Sequence, residues 1–271
     1  MKLRVGYALT YDSPQPTPMM LMLNTHFSRV EDVLVADLLM TDPPVAIRHY
    51  RDGFGNLCAR IVAPPGRISL TTTALFEVSD QPEARPAEGW QSPVEDLPDE
   101  CLVFLLGSRY CETDLLSNVA WQMFGNSAPG AARVQAICDF VFGHIGFGYQ
   151  YARPTKTAWE AYQEGRGVCR DFAHLAVALC RAMNIPARYC TGYISDVGTP
   201  KPWGTMDFAA WFEAYVGGTW QTFDPRNNVP RIGRVLMARG RDAADVALSN
   251  IFGQSTLVSF DVRCEPEDAS A

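Results

Sequence analysis

The segment from Cys169 to Met183 constrains this chain more than any other. Phe172, Leu175, Ala176, Leu179 and Met183 recur at helical spacing along one stripe, the pattern of a helix that must bury a face. Pro186 stops it, since proline removes a backbone donor and clashes with the preceding turn. Two glycines, Gly165 and Gly167, come just before Cys169. A thiol at a helix start meets the first backbone N–H groups and the positive end of the helix dipole, both of which favour the thiolate. Glycines there let a carbonyl approach closely, and the same N–H groups can hold an oxyanion. The alternative at such a position is a buried, inert cysteine. A working nucleophile is expected to ionise well below the free-thiol value of about 8.5.

The surroundings of this helix read as two kinds of grammar. Leu115 to Phe124 and Ala131 to Ile145 carry helical spacing, the latter through Val134, Ile137, Cys138 and Val141. Strand-like runs follow at Arg188–Ile194, Phe208–Val216 and Thr219–Phe223, the last after a Gly217-Gly218 hairpin turn, and again at Leu257–Val262. Helices followed by strands predict an α+β domain over residues 101–271, a helix laid on an antiparallel sheet. Residues 1–80 instead alternate as strands. Ile68, Leu70, Ala74, Phe76 and Val78 share one face of the clearest, and Asp52–Asn56 forms a turn between two others. Several short strands without a helix between them predict a small β-sandwich. Between the two lies a proline-rich acidic connector, 81–100, with Pro82, Pro86, Pro93, Pro98, Glu83, Glu88, Glu95, Asp96, Asp99 and Glu100. It is expected to be extended, hanging free or wrapping the second domain.

Composition excludes some functions. With 23 Lys plus Arg against 30 Asp plus Glu, the net charge is −7, which argues against broad nucleic-acid binding. No run approaches the roughly 20 apolar residues of a membrane helix. The first residues lack the apolar core and cleavage site of a secretory signal; the expected compartment is cytoplasmic. The eight cysteines include no Cys-x-x-Cys pair, so most are expected to be small buried hydrophobes, with no structural metal. No cofactor is implied, and no acidic loop of EF-hand type appears.

Gly167-Val168-Cys169-Arg170-Asp171-Phe172-Ala173-His174-Leu175, Asn184–Tyr189, Thr191-Gly192-Tyr193, Ala210–Tyr215 and Gly218–Pro225 together resemble, in order, the core of bacterial transglutaminase-like proteins. The strand-rich first domain resembles, more weakly, one often attached to them. The resemblance implies a papain-like α+β fold and a Cys-His-Asp triad, hence acyl transfer through a thioester. Position by position, it implies Cys169 as nucleophile and Asp224 as the residue orienting the histidine. The histidine itself should stand two residues before Trp211. Ala209 stands there, and a methyl group cannot accept a proton.

Few groups can replace that base. His174 follows Cys169 by five residues on the same helix, about 140° around and roughly 7.5 Å along the axis, which suits a supporting role better than proton transfer. His144, His26 and His49 have cap, surface or strand-domain readings. If 207–215 is one strand, Asp207 and Glu213 share a face with Ala209 and flank it. A carboxylate with a raised pKa would serve as base, or a water would bridge Cys169 to Asp224. The plainer expectation is that Asp207 ends a loop and Glu213 takes an ion pair. Trp203, in a loop, and Trp211 and Gly167 are candidates to contact substrate, Trp211 and Trp220 being equally suited to fill the core. Arg226, Arg231, Arg234, Arg239 and Arg241 form a basic run expected to pair internally with Asp224, Asp242 and Asp245 rather than hold a carboxylate or phosphate. The function these readings favour is a thiol acyl-transfer enzyme (hydrolase, peptidase or acyltransferase) with an altered base, acting on a peptide, protein or small amide. Its alternative is an inactive protein of this fold that binds a peptide or protein partner; an alanine introduced to trap substrate would read the same.

Overall fold

The structure, a computed structural model, describes residues 1–84 and 89–267; Pro86 and Glu88 of the expected connector lie outside the described residues. Strands β1 (Lys2–Ser13), β2 (Thr17–Leu21), β3 (Val33–Val35), β4 (Met40–Asp42), β5 (Arg48–Arg51), β6 (Leu57–Ala63) and β7 (Gly66–Glu77) occupy the N-terminal region. β1 and β7 pair antiparallel along their whole length, Lys2 opposite Glu77 and Ser13 opposite Gly66. Alternation sets the inner face: Leu3, Val5, Tyr7 and Leu9 of β1 and Ile68, Leu70, Ala74 and Phe76 of β7 are buried, because successive side chains of a strand point to opposite faces. β2, β6 and β5 form a second antiparallel sheet. Its Met19, Leu21, Ala59 and Ile61 enter the same core, so the region is a sandwich of two sheets, as the alternation predicts.

The helical part follows. It comprises α1 (Asp99–Leu102), α2 (Thr113–Phe124), α3 (Ala131–His144), the short strand β8 (Gly146–Phe147), α4 (Ala158–Glu164), β9 (Arg166–Gly167) and α5 (Cys169–Ala182). Then come β10 (Ala187–Ile194), β11 (Ala209–Val216), β12 (Thr219–Phe223) and β13 (Arg234–Gly240), an antiparallel sheet in the order β12-β11-β10-β13. Gly217 and Gly218, at φ 64° and 77°, make the β11–β12 hairpin, since only glycine turns there without strain. Among the described residues, no helix is long and apolar enough to cross a membrane.

Three expectations need correction. α5 is not a helix with one buried stripe: every residue from Asp171 to Ala182 is buried, with α2, α3, α4, β10 and β11 all packed on it. Ala173, Ala176, Ala178 and Ala182 are small enough to admit neighbours on all sides, and Arg181 finds its acceptors inside, while Asp171 Oδ1 and His174 Nδ1 stay without a hydrogen-bond partner. Second, the run at Leu257–Val262 does not join the C-terminal sheet. It lies in β15 (Thr256–Pro266), which pairs with β1, while β14 (Ser249–Ile251) pairs with β2. Val262 and Cys264 enter the sandwich core, together with Tyr193, Phe208, Val235 and Met237 of the segments around β10 and β13. Third, the described part of the connector is not simply extended: it takes the second of its two alternatives and packs against the helical part. Gly89 O and Trp90 O accept from Ala131 N and Gly217 N at 2.8 and 2.9 Å, and Gln91 Nε2 donates to Met183 O at 2.8 Å.

Deleting residues 256–267 should therefore damage the N-terminal sandwich, although it lies far away in sequence. The expected result is a chain that loses its cooperative thermal transition and binds a hydrophobic dye, measured by circular dichroism and dye fluorescence; a truncated chain with an unchanged transition would contradict the shared core.

Candidate active site

Cys169 is the first residue of α5, and the local geometry explains the glycines before it. Gly165 ends α4 in the left-handed region at φ 61°. A Cβ on Gly167 would stand 2.5 Å from Asp171 Oδ2. Asp171 takes that place because its carboxylate accepts the Val168 N–H at 2.9 Å, closing the first turn of the helix as a capping side chain. Gly167 is thus required by helix capping, and the expectation that it contacts substrate is corrected on that ground.

The thiol stands where two cavities meet. One, of about 430 Å³, is lined by Phe147, Tyr149, Cys169, Asp196, Arg226, Asn227 and Arg231 as well as the loop 204–210. The other, of about 490 Å³, is lined by Tyr110, 152–154, Cys169, Arg170, Tyr189 and 246–249. Both share Cys169, Asp207, Phe208, Ala209 and Ala210. The Cys169 S–H points toward Phe208 O at 4.0 Å, and the backbone N–H groups of Ala210 and Arg170 face the sulfur. Two backbone donors on the sulfur favour its anionic form.

The electrostatics run against a resting thiolate. Burial first, and then the Asp207 charge, push the Cys169 thiol up to about 11, against the weaker opposing pull of the two N–H groups and Arg226. The N–H of Arg170 at the helix start does lower it, but burial and Asp207 outweigh that pull, so the thiol does not fall below the free-thiol value as expected for a working nucleophile. Asp207 is itself pushed upward, chiefly by burial. It precedes β11 rather than lying in it, so the expected shared strand face with Ala209 begins one residue pair too late. Its carboxyl still lines both cavities beside the sulfur. Glu213 is taken by Arg188.

Ala209 opens β11, opposite Gly192 of β10; it borders both cavities and packs against the cluster of Trp211 and Leu236. None of the four histidines lines either cavity. His174 is fully buried; its Nε2 accepts the Ala243 N–H at 3.1 Å, and its ring stacks on Tyr110 at 5.2 Å. Burial holds it far below the usual imidazole range. A neutral ring bound this way tethers the loop after β13, so the reading of His174 as base is corrected. His144 Nε2 contacts Tyr162 O at 2.6 Å, and His26 Nδ1 contacts Ser28.

Asp224 follows β12, and its carboxylate is already engaged. Oδ1 accepts from Asn227 N at 3.0 Å, and Oδ2 accepts from Asn227 Nδ2 at 2.7 Å and Arg234 Nη2 at 3.0 Å. Trp211 is buried, with the Arg234 guanidinium 4.6 Å above its ring, so it belongs to the core rather than to a substrate surface. Trp203 stands on the 196–208 loop, its Nε1 donating to Thr199 O, but it is the later residues of the loop that line the cleft. Of the arginine run, Arg231, Arg234 and Arg241 pair with Asp196, Asp224 and Asp245. Sequence reasoning missed Phe147, Tyr149 and Asn227. The first two arrive through the parallel pairing of β8 with β9, a non-local contact with no local signal; Asn227 was legible only as a neighbour of Asp224.

A Transglutaminase-like superfamily model matches residues 117–225. An uncharacterized protein of Mycobacterium leprae is 36% identical over 277 residues, covering 96% of this chain and 95% of the relative. One of Mycobacterium tuberculosis is 27% identical over 78% of this chain and 74% of its own length. The solved structure of a candidate cysteine protease from Cytophaga hutchinsonii matches with a TM-score of 0.85 and 34% identity, covering 100% of this chain and 92% of that chain.

Two measurements follow from this geometry. Alkylation of Cys169 by iodoacetamide, followed by peptide mass spectrometry, should keep rising from pH 7 to beyond pH 10, because the thiolate is the reacting form and the raised pKa leaves little of it at neutrality. Asp207→Asn should shift that profile to lower pH. His174→Ala should leave the profile in place and lower stability by about 1–3 kcal/mol, through the lost stack and the orphaned Ala243 N–H; a profile shift without destabilisation would restore His174 as a proton carrier.

Proposed function

Because the chain belongs to the transglutaminase-like superfamily, we propose that it is a thiol acyl-transfer enzyme that cleaves or transfers an amide through a thioester on Cys169. The observation that carries this reading is the position of the sulfur: mid-cleft, between two cavities, with the Ala210 and Arg170 N–H groups facing it. The proton acceptor is Asp207, the titratable carboxyl beside the thiol. Its own upward shift narrows the gap to the thiol and makes it a stronger base than an exposed aspartate.

In the proposed cycle the Cys169 proton passes to Asp207 as sulfur attacks the amide carbon. The two backbone N–H groups hold the oxyanion. Asp207 returns the proton to the departing amine as the C–N bond breaks, leaving a thioester. Water or an amine then attacks that thioester, giving its proton to Asp207, which passes it to the leaving sulfur. A carboxylate serving a thiol of pKa about 11 is a weaker device than an imidazole, so slow turnover is expected. The eight free cysteines support a reducing compartment, and we place the protein in the cytoplasm.

A second reading has its own support. The Asp224 carboxylate is filled by Asn227 and Arg234 and no imidazole lines the cleft, which suits a protein that binds a peptide without cleaving it.

Intact-mass detection of an acyl adduct during incubation with an activated ester, absent in Cys169→Ala, tests the enzyme reading. Asp207→Asn should then move two readouts in opposite directions: turnover falls by about 10²–10⁴ while alkylation at pH 8 becomes faster. Ala209→His should raise turnover once Asp224 exchanges Asn227 for the new ring. An absent adduct, with no gain in Ala209→His, would leave the binding reading.

A further inference from the structure

The cavity on one side of Cys169 is lined by two guanidinium groups, Arg226 and Arg231, and two carboxyls, Asp196 and Asp207. Arg231 is engaged: its Nη2 donates to Asp196 Oδ1 at 3.1 Å and to Ser195 O at 2.8 Å. Asp207 faces the thiol. Arg226 differs from every other arginine of its run. Its Nη1 donates to Asn227 Oδ1 at 2.7 Å, and its guanidinium lies 4.4 Å from the centre of the Phe147 ring. Among the described residues, no carboxylate stands within ion-pair distance of it.

The fork is therefore held on one face by an aromatic ring and at one nitrogen by an amide, while its charge has no counter-ion among the described residues. A guanidinium fixed in this way loses little freedom on binding, and its planar set of donors matches a carboxylate. The cations of the opposite cavity offer no equivalent. Arg153 pairs with Glu160 and Glu164, and Arg170 donates to Arg153 O.

We propose that Arg226 receives a carboxylate of the substrate, so that the substrate class is an amide with a carboxylate a few bonds from the scissile carbonyl, lying on the Phe147 and Tyr149 side of Cys169. This rests on the reading of Cys169 as the acyl acceptor. Arg226 is then a specificity residue. The competing role is that its charge merely steadies the thiolate, and the two roles separate cleanly. A thiolate effect changes reaction with all electrophiles alike, whereas recognition changes only reaction with those bearing a carboxylate.

The experiment compares matched electrophiles on Cys169 of the full chain: iodoacetate against iodoacetamide, and 3-maleimidopropionate against N-ethylmaleimide. Labelling is read by peptide mass spectrometry. Within each pair the thiolate fraction cancels from the ratio, so the thiol's pKa does not enter. The anionic-to-neutral ratio should be about tenfold higher in the wild type than in Arg226→Gln for at least one pair, the scale of one charge-assisted contact. Arg226→Lys, which keeps the charge but loses the fork, should recover less than half of that preference. A ratio unchanged in Arg226→Gln for both pairs overturns the proposal, as does full retention in Arg226→Lys, which would mean a general field and not recognition. Circular dichroism of each variant confirms folding, and because the ratio is internal to one sample, partial unfolding does not mimic the effect. If the preference is found while no amide yields an acyl adduct, the carboxylate site stands and the enzyme reading falls.

Discussion

The structure depends on the enclosure of one helix. From Asp171 to Ala182 α5 is buried on all sides, so its polar side chains take what partners they have from the protein, and several of those partners lie in the loops that shape the cleft. Arg181 donates to Ala187 O, Leu106 O, Ser108 Oγ and Arg241 O. His174 takes the Ala243 N–H, and Asp171 takes that of Val168. A buried cation left without acceptors costs several kcal/mol, so these contacts tie the entry to α2, the start of β10 and the turn after β13 to the same helix. The cysteine at its head is thereby held at a fixed depth between the two cavities. Its position follows from the satisfaction of groups a turn or more away from it.

Much of this was legible in the residues. The helix beginning at Cys169, the glycine hairpin and the alternation of β7 all carry local signals. What was not legible shares a physical cause. All-round burial of α5 depends on partners from five other elements, and the sequence shows only that polar residues interrupt the stripe. β13 was hidden because Arg234 and Arg239 look like surface charges, whereas Arg234 is buried against Asp224. Gly167 reads as room for a substrate, yet the room is occupied by the capping carboxylate of Asp171. Phe147 and Tyr149 reach the cleft through a two-residue parallel pairing, too short to leave a periodicity.

The charges around the cleft have a consistent arrangement. The carboxylate whose family counterpart orients a base is bound up with Asn227 and Arg234, and the thiol is surrounded by burial and a neighbouring negative charge instead of a positive partner. On the proposed reading, scaffold and nucleophile are kept while the means of moving the proton differ. A protonated thiol at rest avoids placing a second negative charge beside Asp207 in the low-dielectric cleft. Burial and the Asp207 charge, which keep the thiol protonated, also protect the sulfur from adventitious oxidation, since the thiolate is the form that oxidants attack.

The pairing of β1 with β15 joins residues separated by almost the whole chain. During synthesis β1 emerges early and finds β7 within the first third of the chain, but its other edge stays open until residues 256–266 follow. An open strand edge is a template for a foreign strand, and on a ribosome the nearest foreign strands are other copies of the same nascent chain. The interval between making β1 and making β15 is therefore the period in which this protein is most exposed to misassembly, and chaperone capture would act on the N-terminal sheet long before the cysteine-bearing core is complete.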